Sequence, residues 1–214
     1  MATRAVSRRS TVTDPEPRAD YTRVLVDSSA GPGPGLLGLI GLFLGYAIIV
    51  PGLLYAFLGI GFLFERNDGE GFSAYYKRAA GYHTVGGLIA THLALASLIV
   101  VVLVLARYLN HRAPRWVASV QPDIRWRFGL LVALVAVVVL NLTQLLVRGG
   151  ADAHYTVPRY WWVWLLAIII TSPLQALAEE MFFRGYLMNV ISGLALNLPE
   201  KAGRWLSVVG SALI

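Results

Sequence analysis

Polar and apolar positions along this chain fall into long blocks rather than into alternating patterns. Residues 1 to 30 are mixed and polar. Apolar runs then cover about Leu36 to Phe64, Val85 to Ala106 and Phe128 to Val147. A fourth run begins near Tyr160, and a further one starts at Trp205. Runs of about 20 apolar residues match the hydrocarbon core of a bilayer crossed by a helix, and every run is too long for a strand. The pattern predicts an all-α fold: a polytopic transmembrane helical bundle with about four full spans plus the start of a further one.

The first run is longer than a bilayer requires, so tilt or a kink at Pro51 is expected. Within it, Gly41 and Gly45 form a GxxxG pair able to admit a neighbouring helix. Ahead of it, acids and prolines interspersed with Arg4, Arg8, Arg9, Arg18 and Arg23 read as a disordered cytoplasmic tail. "GPGPG", Gly31 to Gly35, reads as a linker. The expected organisation is residues 1–35 as tail and linker, and residues 36–214 as a membrane-embedded helical domain. Arg8-Arg9 is not a twin-arginine export signal, because no apolar segment follows closely.

Composition agrees with the pattern. Hydrophobic residues make up 57% of the chain and charged residues 14%, against about a quarter charged in a soluble domain. The absence of cysteine excludes thiol nucleophiles, disulfides and cysteine-ligated metals. A net charge of +6 does not point to nucleic acid, because basic residues collect in the cytoplasmic loops of membrane proteins. Lysine and arginine number five in the tail, then three, five and two in the successive loops, which places the N-terminus in the cytoplasm. The arginine bias is that of a GC-rich bacterial genome, so a multi-pass protein of the bacterial plasma membrane is expected, with lipid as its first partner. Trp161, Trp162 and Trp164 suit an interfacial aromatic belt at the outer end of the fourth span. The uncharged residues from Tyr160 to Ala178 give about 28 Å of helix, with Pro173 kinking it just before the first charges.

Those charges are the candidate chemistry. In "LAEEMFFRGYL", Leu177 to Leu187, Glu180 and Arg184 are four apart on one helical face and can pair. Glu179 lies about 100° away with Phe183. One carboxylate is thereby neutralised while the other points elsewhere. A carboxylate in an apolar setting suits a general base working near ambient pH. Spacing alone leaves two readings open: a helix end meeting water, or a site. Gly185 to Pro199 is again uncharged, and ionisable groups bracketed by apolar sequence face a bundle interior or a wet cavity.

"EEMFFRG", Glu179 to Gly185, resembles the EExxxR signature of the CAAX prenyl endopeptidase type II and bacteriocin-processing family, also called the abortive-infection family. "SPLQALAEE" ahead of it and the Trp-containing apolar segment behind it fit as well, so the resemblance is best over residues 161–214. It implies an intramembrane glutamic endopeptidase acting on a peptide or protein substrate. Glu179 activates a water for attack on a peptide carbonyl, while Glu180, held by Arg184, shapes the site. No cofactor is implied.

The resemblance also implies an FxxxH motif on a later helix and a further His with a nearby Asn or Asp. Nothing in this sequence matches these. The chain stops about ten residues into an apolar segment, so it reads as truncated and inactive alone. Of its four histidines, His83 is at a span entrance and His111 and His154 are in loops. His92, inside the second span, reads as a hydrogen-bonded packing residue. Asn141 and Gln144, three apart on the third span, are expected to bond across to a neighbouring helix. No HExxH or helical His pair is present, so no metal site is expected. Rival readings are a non-enzymatic scaffold or bacteriocin-immunity protein, and a proton-relaying transporter. The last is weakened by the lack of inverted repeats. The sequence leaves the oligomeric state open. The 214-residue chain is expected to show little or no peptidase activity beside a version extended to include the histidine-bearing helices; equal activity in both would overturn the truncation reading.

Overall fold

The computed structural model describes residues 12–15, 19–118, 126–148 and 160–213. Its helices are α1 (Gly33–Glu65), α2 (Phe72–Ala80), α3 (Val85–Tyr108), α4 (Arg115–Ala118), α5 (Trp126–Arg148), α6 (Trp161–Leu194) and α7 (Glu200–Leu213). No strand occurs among the described residues; a single bridge pairs Thr13 with Arg112. Four helices are long and apolar enough to cross a membrane, at Gly33–Glu65, Val85–Tyr108, Arg127–Val147 and Trp161–Leu194. The protein is an all-α, multi-pass membrane protein, as the blocks of apolar sequence predict.

α1 runs antiparallel to both α3 and α6. Gly35 and Gly38 near its start meet Leu194 and Val190 at the end of α6, and Gly41 and Gly45 meet Leu105 and Val101 of α3. A Cβ at Gly41 or Gly45 would lie 2.7 or 2.6 Å from those side chains, inside van der Waals contact. The GxxxG pair therefore admits α3. Lipid tails are as apolar as leucine, so dispersion from this close approach, rather than exclusion of water, holds the helices together. α3 and α6 run parallel: their first turns join the end of α1 around one groove lined by Glu65, Gly86, Tyr160 and Trp164.

Two of the long helices contain a π-turn. In α1 it spans Gly45–Ile49, immediately before Pro51. Proline supplies no N–H and crowds the carbonyl four residues back, and the widened turn sits where that conflict falls. In α6 the π-turn spans Met181–Leu187 and contains most of EEMFFRG. The two turns touch, with the Tyr46 and Phe182 rings 6.0 Å apart. α6 runs on through Pro173 and through the motif to Leu194 as one helix.

The core lies at the motif end of the bundle. Val24, Leu25, Leu42, Leu98, Val102, Val117, Phe182, Tyr186, Leu187 and Val190 form one buried cluster. Residues 181–190 thus hold much of the core, which is why the sequence after Arg184 is uncharged. A smaller cluster joins Leu58, Tyr75, Ala79 and Ala90 at the other end. There α2, within the first loop, packs on α1 and α3, and Glu65 accepts from the Tyr75 hydroxyl at 3.1 Å and from the Gly86 N–H at 2.9 Å.

Two expectations need correction. Residues 19–30 are not a disordered tail: Tyr21–Arg23 and Ser28–Ala30 form 3-10 turns, and Thr22, Val24 and Leu25 are buried. Three apolar side chains in "RVLV" have the bundle to pack on, which composition does not reveal. Nor does Asn141 bond across to a neighbouring helix. Every described side chain of α5 is exposed, and Asn141 donates to the Val137 carbonyl of its own helix at 2.7 Å, as Thr143 does to Val139 at 2.8 Å. Gln144 is exposed on the same helix. Among the described residues, Asn141 and Thr143 thus bond back to the backbone of their own helix. His154 and the loop around it lie outside the described residues.

Gly45→Leu should lower stability by about 1–3 kcal/mol through overpacking against Val101, read as a reduced unfolding midpoint in detergent. Gly52→Leu, where nothing lies within 4 Å of a built Cβ, should leave the midpoint close to that of the parent.

Candidate active site

The motif residues come together at a cleft of about 860 Å³ between α6, α7 and the N-terminal segment, lined among others by Tyr21, Glu179, Glu180, Phe183, Arg184 and Val208. Arg184 Nη1 donates to both oxygens of Glu180, at 3.1 and 3.0 Å. Their side chains are 71% and 55% exposed. Glu179 is half-buried, and its Oε1 accepts from Gln175 Nε2 at 3.0 Å. The two carboxylates are therefore divided: one bound to a cation at the rim, the other held by a neutral amide one turn back. An ionised carboxylate only accepts, so the Gln175 amide must turn its nitrogen toward it. Oε2 of Glu179 keeps no protein partner among the described residues.

Of the two settings expected for the carboxylates, a bundle interior or a wet cavity, Glu180 takes the second. It and Arg184 stand at the mouth of an open cleft. The face of α6 that packs on α1, α3 and α4 is formed instead by Ala178, Met181, Phe182, Gly185 and Tyr186. Gly185 belongs to that face by necessity, since a Cβ there would come within 2.9 Å of the Val117 carbonyl oxygen.

Sequence reasoning missed three residues. Tyr21 lines the cleft and donates to the Val117 carbonyl at 3.0 Å. Burial pushes its phenol above the usual range; the charge of Glu180 adds to that and Arg184 opposes it. Asn189, 1% exposed, uses its whole amide: Oδ1 accepts from the Leu25 N–H at 3.0 Å, and Nδ2 donates to the carbonyls of Tyr21 at 3.1 Å and Gly185 at 2.8 Å. Gln175 was readable as a polar residue four before Glu179 on the same face.

His92 is hydrogen-bonded across the α3–α6 interface, its Nδ1 lying 2.7 Å from the Thr171 hydroxyl. The same hydroxyl lies 2.7 Å from the Ala167 carbonyl of its own helix, so His92 is tied to α6 as a packing residue. Among the described residues no three His, Asp or Glu side chains gather as a metal-binding group.

The magnitudes separate the exposed pair from the buried amide. An exposed ion pair contributes about 0–1 kcal/mol, so Arg184→Ala should shift stability by less than about 1 kcal/mol. Asn189→Ala leaves the Leu25 N–H and the Tyr21 carbonyl without partners, at about 1–3 kcal/mol for each buried group, and should unfold at clearly lower denaturant. Chemical denaturation of the two variants in one detergent checks the order.

Residues 160–214 match the family described as Type II CAAX prenyl endopeptidase Rce1-like. A Bacillus subtilis (strain 168) protein named "Uncharacterized protein YyaK" is 27% identical over 95 residues, which cover 42% of this chain. The match spans only 32% of that relative's length. No solved structure matches the chain. The helices that carry EEMFFRG and the cleft, α6 and α7, are thus the part of this protein that matches the type II CAAX prenyl endopeptidase Rce1-like family.

Proposed function

We propose that the protein carrying this chain is an intramembrane glutamic endopeptidase of CAAX-protease-like type, with Glu179 as its general base. The observation that carries this reading is the division of the acidic doublet within the family-matched segment. Arg184 occupies Glu180, while Glu179 lines the cleft and its Oε2 has no partner among the described residues. A water bound to Oε2 gives up a proton to Glu179 as its oxygen attacks a peptide carbonyl carbon; the tetrahedral intermediate then collapses with breakage of the C–N bond, and the proton held by Glu179 passes to the leaving amine. Gln175 holds the other carboxylate oxygen and so fixes the direction of approach. Glu180 and Arg184 shape the rim where the peptide enters.

The substrate is a peptide or protein segment lying at the membrane surface. The N-terminal segment and the cleft share one end of the bundle, and the excess of arginine in the tail and second loop favours the cytoplasmic face of a bacterial plasma membrane for that end. The cleft opens beside apolar side chains of α7, which suits a substrate presented from the bilayer.

Glu179→Gln keeps the size and the hydrogen-bond reach of the side chain but removes the base. General-base catalysis contributes about 10²–10⁴-fold, so this variant of the whole protein should lose at least about 100-fold in kcat with an unchanged unfolding midpoint. Peptide release measured in membrane vesicles checks it, and full activity in the variant would overturn the reading.

A further inference from the structure

Residues 19–30 precede the first span and lie outside the family-matched segment, yet the bundle holds them at several points. Asn189 binds the backbone of Tyr21 and Leu25. Asn110 Nδ2 donates to the Leu25 carbonyl at 3.2 Å and is itself fixed by the Tyr186 hydroxyl at 2.6 Å. Arg112, 4% exposed, donates to the Val26 carbonyl at 3.0 Å. Asp20 pairs with Arg204 of α7 at 3.1 Å. Between these anchors Val24 and Leu25 are each 1% exposed within the main core cluster.

The consequence falls on Tyr21. Its carbonyl is held by Asn189 and its hydroxyl by the Val117 carbonyl, at 3.1 and 3.0 Å. The main chain at Tyr21 and the far end of its side chain are thus each held by a hydrogen bond. Its ring lines the same cleft as Glu180 and Arg184, whose other walls are largely apolar through Ala176, Met188 and Val208.

We propose that this N-terminal strap is a fixed wall of the substrate cleft and that Tyr21 is its selectivity residue, limiting the bulk of the apolar side chain that lies beside the Glu180–Arg184 pair. The role of substrate rests on the peptidase reading; the docking of the strap does not. A rigid apolar wall discriminates by about 10–200-fold per methylene-sized difference. A peptide with a small apolar residue at that position is therefore preferred over one with a large residue, and shortening Tyr21 narrows the gap.

Two measurements on the whole protein in vesicles test this. Residues 1–214 contain no cysteine, so Thr22→Cys places the one thiol of this stretch at a position 5% exposed, and labelling is read on the peptide that carries it. Maleimide should label it at least about 10-fold more slowly than a free peptide thiol, and faster once Arg204→Ala or Asn189→Ala loosens the strap. Labelling at the free-thiol rate in the otherwise unchanged protein would overturn the docked strap, whatever the activity. The second measurement compares kcat/KM for peptides carrying Ala, Leu or Phe in turn at the positions flanking the scissile bond. Tyr21→Ala should raise the ratio of large to small side chains about 10-fold at one position, through KM rather than kcat. An unchanged ratio would overturn the selectivity role. Absence of cleavage by every peptide would sink the peptidase reading, and the selectivity role with it, while the labelling contrast still decides the strap.

Discussion

A buried amide in an apolar bundle is tolerable only if all its hydrogen bonds are made, and Asn189 makes them with three backbone groups from two separate parts of the chain. Much of the cleft follows from that constraint. The amide fixes the N-terminal strap against the last turns of α6; the strap carries Tyr21 into the cleft; and Tyr21 in turn secures the Val117 carbonyl beside Gly185. No apolar residue at position 189 can tie these segments together, because dispersion alone does not fix backbone direction.

The π-turn in α6 sits in the same region. π-turns are frequent at functional sites because they change the angular spacing of side chains within a helix. Here Glu179 and Glu180 precede the turn, while Phe182, Gly185 and Tyr186 within it face the core. One helix can therefore hold charges at a cleft and, a few residues on, supply much of the buried core. The facing π-turn of α1 gives that wider helix a partner of matching irregularity, with Tyr46 against Phe182.

Much of this was legible in the sequence, for identifiable reasons. A membrane span announces itself by length and uniform apolarity, so α1, α3, α5 and the start of α6 were placed within a few residues. The pairing of Glu180 with Arg184 follows from helical spacing, which holds across the junction with the π-turn. Other features left weaker signals. The α2 helix rests on Phe72, Tyr75, Tyr76 and Ala79, a short apolar face inside a polar loop. The strap rests on Val24 and Leu25, too few to outweigh the charges and prolines around them. The end of α6 at Leu194 had no marker, because the uncharged stretch after Arg184 argues against a helix end at the motif without saying where the helix stops. The solitary exposure of α5 is a tertiary fact with no sequence counterpart, since an apolar span reads the same whether it meets protein or lipid.

The hydrogen bond between Leu25 and Asn189 joins groups 164 residues apart, and it orders events during biosynthesis. When the strap leaves the ribosome, its docking partner has yet to be translated. Three spans must enter the bilayer before Asn189 emerges, and α7 must follow before Arg204 meets Asp20. Until then Val24 and Leu25 have only the part of their core that α1 and α3 supply, Leu42, Leu98 and Val102 among it. Within residues 1–214 the cleft therefore forms late, closed only when the strap is captured by α6 and α7.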